Sequence, residues 1–253
     1  MKQIRLLMGM PVSVEIADPH VDTAIFDEVY AYFTDIDERF STYKPTSEIE
    51  AINEGRLAPE DASEAMRLVL ALSEETKRET DGFFDIRRPD GRIDPSGLVK
   101  GWAIWNAAQL IAKRGYEHFY VDAGGDIQPH GRNAQGKPWA VGIKNPFEQK
   151  ENVKVVYVND EGVATSGTYI RGRHIYDPHA DGADKRAPEE IVSLTVIGPN
   201  VYEADRLATA AFAMGARGIR FIESLPGFEG YMIDKNKIAT MTTRFDRYTQ
   251  PER

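Results

Sequence analysis

The chain has 253 residues, 42% hydrophobic and 28% charged, which is enough apolar material for one large folded domain or two small lobes. Its formal net charge of −9, with no Lys/Arg run, argues against a nucleic-acid groove or an anionic-membrane patch. The chain contains no cysteine, which removes disulfides, thiolate metal sites and Cys nucleophiles.

Ile4 to Met10 is apolar but too short for an export signal with a cleavage site, and no window reaches the length of a membrane helix. The chain as given therefore reads as cytoplasmic, or as periplasmic if an export signal has been trimmed. No repeat, low-complexity tract or linker divides it, so residues 1–253 are expected to form a single domain. Met10-Pro11-Val12-Ser13-Val14-Glu15-Ile16 alternates apolar and polar residues and predicts a half-buried strand. Phe26, Val29, Tyr30, Phe33, Ile36 and Phe40 recur at helical spacing and predict an amphipathic helix over about 22–38. Ser47 is placed to cap a short helix starting at Glu48. Tyr43, in the loop before it, can stack on a flat ligand or simply cover the core.

A further helix is predicted over 61–80 and is ended by Asp81-Gly82. Asp94-Pro95-Ser96-Gly97 reads as a turn feeding a helix that runs to Gly115, with Ser96 as its N-cap. Free N–H groups at such a helix start attract anions. Lys100 opposes the helix dipole there, so it is either an anion-binding lysine or an ordinary solvated one. Tyr116 to Asp122 reads as a strand running into Gly124-Gly125-Asp126, which is a phosphate-facing turn or a plain hairpin turn. Strands are also predicted at Trp139 to Pro146 and Val153 to Val158.

Ala164-Thr165-Ser166-Gly167 reads as a loop able to touch phosphates or offer carbonyls to a metal. His174 and Asp177 stand in the next polar stretch. Ile191 to Ile197 reads as a strand, Arg217 to Leu225 as a short helix, and Tyr231 to Met241 as a closing hairpin followed by a frayed tail. Helices gather in 22–114 and strands in 116–198, which disfavours βαβ alternation. The predicted class is α+β: a mixed, largely antiparallel sheet with helices packed outside.

Tyr202 to Met214 is rich in Ala, Leu and Met and predicts a helix stopped by Gly215. Asp205 and Thr209 are one turn apart on one face of that helix, set among apolar neighbours. A carboxylate with a neutral oxygen suits a hard cation such as Mg²⁺, completed by phosphate and water. The bland alternative is an Asp that favours the helix dipole and a Thr that bonds back to its own helix.

These segments, taken in order, resemble the FAD:protein FMN transferases, the ApbE-like flavinylating enzymes. The matching pieces are Met8-Gly9-Met10-Pro11-Val12, Phe40-Ser41-Thr42-Tyr43 with Ser47-Glu48-Ile49 and Asn53, Gly82-Phe83-Phe84-Asp85, and Asp94-Pro95-Ser96-Gly97-Leu98-Val99-Lys100-Gly101. They continue with Gly124-Gly125-Asp126, Ala164-Thr165-Ser166-Gly167, His174-Ile175-Tyr176-Asp177-Pro178 and Ala204-Asp205-Arg206-Leu207-Ala208-Thr209-Ala210. The chain departs from the family pattern at Met10, at Thr168 and after Pro178, where His179-Ala180-Asp181-Gly182 stands.

The resemblance implies transfer of FMN from FAD, as substrate, to a Thr or Ser hydroxyl of an acceptor protein, with release of AMP. It implies Mg²⁺ held by Asp205 and Thr209 with the Ala164 carbonyl nearby. It implies an FAD pocket formed by Met10, Tyr43, Asp94, Ser96, Lys100, Gly101, Gly124, Gly125, Asp126, Thr165 and Ser166. His174 is the expected base, with His179, Asp126 and Asp177 as rivals. Two other readings stand beside transfer. One is an FAD pyrophosphatase that uses water; the other is an FAD-binding protein without turnover.

Overall fold

The computed structural model describes residues 1–148, 150–168 and 190–251; His174, Asp177 and His179 lie outside the described residues. The strands are β1 (Lys2–Leu7), β2 (Met10–Ile16), β3 (Phe119–Ala123), β4 (Asp126–His130), β5 (Trp139–Lys144), β6 (Asn152–Val158), β7 (Gly162–Gly167), β8 (Ile191–Gly198), β9 (Glu229–Asp234) and β10 (Ala239–Met241). The helices are α1 (Ala24–Phe40), α2 (Glu48–Asn53), α3 (Glu64–Glu79), α4 (Ser96–Lys113), α5 (Val201–Ala213) and α6 (Gly218–Ser224).

Eight strands form one sheet in the order β1-β2-β3-β4-β7-β8-β9-β10, and β5 pairs with β6 apart from it. Every described strand pair is antiparallel. The expected α+β class with a largely antiparallel sheet is what the chain adopts. Successive side chains of a strand point to opposite faces. On β8, Leu194 and Val196 therefore join Ala164 and Met232 under the helices, while Ile197 joins Val163, Tyr231 and Ile233 under the β5–β6 hairpin. Both faces of the central strands are covered, so β8 is buried along most of its length.

The helical layer follows the apolar spacing. Phe26, Val29, Tyr30, Phe33 and Ile36 line the buried stripe of α1. The Ser47 hydroxyl accepts the Glu50 N–H at 3.2 Å and starts α2.

Several local expectations are corrected. Ser96 is the first helical residue of α4 and not its cap; Pro95 precedes it, and the Asp94 carboxylate accepts the Ser96 N–H at 3.1 Å. Ala164-Thr165-Ser166-Gly167 is strand, not loop, because β7 sits between β4 and β8. The tail is docked, not frayed: Phe245 and Tyr248 are buried, with the Phe245 ring 5.4 Å from that of Tyr231.

Candidate active site

The site is built on α5. The Asn200 side chain caps its start by accepting the Glu203 N–H at 2.9 Å, and the buried Gln128 side chain accepts the Val201 N–H at 2.8 Å. Gly215 ends the helical run with φ +61. Asp205 lies beyond the first turn, so the dipole explanation does not apply to it. Its Oδ2 accepts the Gly101 N–H of α4 at 2.7 Å, across the helix–helix contact. The Thr209 hydroxyl donates to the Gly97 carbonyl at 3.2 Å and lies 3.4 Å from the Ser166 hydroxyl. Asp205 and Thr209 thus reach the two ends of one turn of α4.

That approach requires glycine. A Cβ on Gly101 would meet the Asp205 Cβ at 2.6 Å and the Val201 carbonyl oxygen at 2.7 Å. Lys100 enters the same space. Its Nζ is 2.6 Å from Asp126 Oδ2 and 3.6 Å from Asp205 Oδ1. Lys100 is therefore an ion-paired group, not a solvated one. Asp126 Oδ1 accepts the Thr165 N–H at 2.9 Å.

The pair β4–β7 contributes a single register pair, Ile127 with Val163, so the Asp126 carboxylate serves Thr165 where the strand ladder has ended. Two carboxylates face one ammonium, so the group carries one negative charge only when both carboxylates are ionised. Burial pushes the Asp205 carboxyl up to about 7; Lys100 opposes that rise and Asp126 adds to it.

These groups open onto a cavity of about 580 Å³, within the range of small-molecule sites. Met10, Ser96, Lys100, Gly124, Thr165, Ser166, Asp205 and Thr209 all line it. Tyr43 stands at its rim and is 92% exposed, so it covers no core and is available to a ligand. Gly101, Asp126 and Ala164 are buried and do not line the cavity; they lie in the packing of α4, β4 and β7. Asp94 does not line it either, and its carboxylate is spent on the start of α4.

Gly124-Gly125 is the β3–β4 hairpin turn, with φ of +64 and +99. Its N–H groups are taken by the Pro11 carbonyl at 3.1 Å and by Asp122 Oδ1 at 2.9 Å, so they are not aimed at a phosphate. The Thr165 hydroxyl is likewise paired, 2.8 Å from that of Thr195.

Sequence reasoning left several lining residues without a role. The Met8-Gly9 turn joins β1 to β2 with φ of +53 and +71 and borders the cavity, as do Ser41, Thr42 and Gly97. All five fall in the quoted motifs, which was the available signal. Asn53, also in a quoted motif, does not line the cavity but supports it. Its amide exchanges two hydrogen bonds with Ile93, at 3.0 and 2.7 Å, and so fixes the backbone leading into α4.

Among the described residues no group of three or more His, Cys, Asp or Glu could hold a metal ion. The Asp205 carboxylate and Thr209 hydroxyl are compatible with a hard cation that draws its remaining ligands from phosphate and water. With Asp205 ionised, the Asp205–Lys100–Asp126 group carries one excess negative charge, which favours that fit.

The sequence model of the ApbE family matches residues 8–88 and 87–232 of this chain. The chain belongs to the ApbE family. Among curated ApbE relatives, the FAD:protein FMN transferase of Salmonella typhimurium is 31% identical over 156 residues, covering 58% of this chain and 44% of that protein. The match therefore spans less than half of that relative's length. The FAD:protein FMN transferase of Haemophilus influenzae is 24% identical over 275 residues, covering 82% of this chain and 79% of that protein. The flavin transferase ApbE of Vibrio cholerae shares the fold with a TM-score of 0.84 at 22% identity, with 98% of both chains covered. The ApbE protein of Thermotoga maritima gives a TM-score of 0.84 at 19% identity, with 99% of both chains covered.

Proposed function

We propose that this chain transfers FMN from FAD to a Thr or Ser hydroxyl of an acceptor protein in a Mg²⁺-dependent reaction that releases AMP. The observation that carries the reading is the cavity base, where Asp205, Thr209 and Lys100 meet. Support also comes from the family and from relatives named FAD:protein FMN transferase. In this reading Asp205 and Thr209, which line the cavity, hold the cation, and the carbonyl of Ala164, buried in β7, is a third group on the resemblance alone. When bound, Mg²⁺ supplies positive charge against the phosphate oxygens of FAD.

Lys100 neutralises the diphosphate from the helix side, and Tyr43 stacks on a ring of FAD at the rim. The acceptor Oγ forms a bond to the FMN-side phosphorus, the bond from that phosphorus to the bridging oxygen breaks, and AMP leaves with the electron pair. The hydroxyl proton needs an acceptor, and His174 is the assigned base because imidazole titrates near neutrality. The β1–β2 turn, α1 and the loop after it, α4, the β3–β4 turn, β7 and α5 all line the same cavity, which supports reading the chain as one unit.

The test is a chromatographic time course of FAD, FMN and AMP with Mg²⁺, with and without an acceptor carrying an Asp-Gly-x-x-Ala-Thr-like segment. AMP release that requires the acceptor and leaves no free FMN supports transfer. Equal FMN and AMP without acceptor indicates a pyrophosphatase, and intact FAD in both arms indicates a binding protein.

A further inference from the structure

We propose that Asp126 is a positioning residue: it holds the Lys100 ammonium at the cavity base, and Lys100, not Asp126, meets the diphosphate of the bound dinucleotide. The identity of that anion rests on the flavin-transfer reading; the holding of Lys100 does not. Asp126 is 1% exposed and does not line the cavity, so it has no surface to offer a ligand. Its carboxylate also lies beside that of Asp205. Oδ1 takes the Thr165 N–H at 2.9 Å, and Oδ2 sits 2.6 Å from Lys100 Nζ. A strand clamp alone would need only the Thr165 hydrogen bond and not the ion pair.

Lys100 does line the cavity, and its second carboxylate, on Asp205, is farther away at 3.6 Å. Asp126 thus keeps the ammonium from closing onto Asp205, the carboxylate assigned to the cation. One fixed charge then serves the phosphate side of the ligand while Asp205 stays available. Such fixed orientation of a charged group through a buried partner is how a site is preorganised.

Two measurements test this on the full chain. D126N keeps an oxygen for Thr165 and removes the charge facing Lys100. In FAD-free protein, acylation of Lys100 by acetic anhydride, read by peptide mass spectrometry, should be about tenfold faster in D126N than in the wild type. An unchanged rate overturns the proposal, whatever the protein binds. In FAD titrations, D126N and K100M should each weaken binding about tenfold, and K100M/D126N should be no weaker than K100M. Additive losses, or wild-type affinity in D126N beside a weakened K100M, overturn it. Should D126N fail to fold, K100M binding FAD as the wild type does also overturns it. A wild type that binds no FAD refutes the flavin reading and leaves the acylation result to decide the role of Asp126.

Discussion

Gly101 of α4 gives its backbone N–H to the Asp205 carboxylate of α5 at 2.7 Å, and its missing side chain is what lets the two helices come that close. The carboxylate at the cavity base is thereby fixed by backbone instead of by a mobile side chain. G101A places a methyl group 2.6 Å from the Asp205 Cβ and 2.7 Å from a carbonyl oxygen, and the carbonyl cannot rotate away. Overpacking of this kind costs about 1–3 kcal/mol. Urea unfolding should show that loss, and FAD affinity should fall with it. A G101A chain as stable as the wild type would mean that the helices can separate freely.

Asp205 also sets a pH dependence for the metal-free protein. Burial raises its folded-state value from 3.8 to about 7, so its contribution to stability is full below pH 3.8 and is lost as pH rises through about 7. Asp122, raised by burial to about 6, acts in the same direction. In chelator, the melting temperature should therefore decline between about pH 4 and pH 7 more steeply than in D205N. Mg²⁺ should restore stability more at pH 8 than at pH 5, since it competes with the proton for the same oxygen. A D205N chain with the wild-type pH slope contradicts this assignment.

Tyr43 separates binding from folding. At 92% exposure it holds no core, so Y43A should change stability by no more than about 0.5 kcal/mol. Loss of one aromatic stacking contact should weaken FAD binding by about 2–10-fold, read by flavin fluorescence. Unchanged affinity would place the flavin and adenine rings elsewhere.

The base assignment is tested by kinetics. H174Q should keep FAD affinity and lose about 10²–10⁴-fold in transfer rate, with the acid limb of the pH–rate profile altered. Transfer at the wild-type rate would move the role to His179 or Asp177.

The parts of this molecule that were legible in the sequence are those with a local cause. Asp205 and Thr209 share a face because they are one turn apart, and α5 stops ahead of Gly215 as that glycine predicts. β7 was not legible. Thr165 and Ser166 give no apolar alternation, and the strand exists because β4 and β8 flank it and a core covers each face. β4 was hidden as well: Pro129 argues against a strand, yet its missing N–H is tolerated where the β4–β7 ladder has already ended.

The role of Lys100 was half legible. A lysine early in α4 opposes the dipole, but its partners are 26 and 105 residues away in the chain (126 − 100 and 205 − 100), and only the fold brings them together. Asp126 was expected beside FAD on motif grounds; its place behind Lys100 depends on strand pairing that no spacing rule reveals.

The most direct test of flavin transfer is the intact mass of an acceptor protein carrying an Asp-Gly-x-x-Ala-Thr-like segment, after incubation with this chain, FAD and Mg²⁺. The account predicts a gain of one FMN less one water, localised to the Thr or Ser hydroxyl, absent with chelator and absent with D205A that remains folded. An unmodified acceptor beside FAD-bound wild-type protein, or full modification by folded D205A, would contradict it.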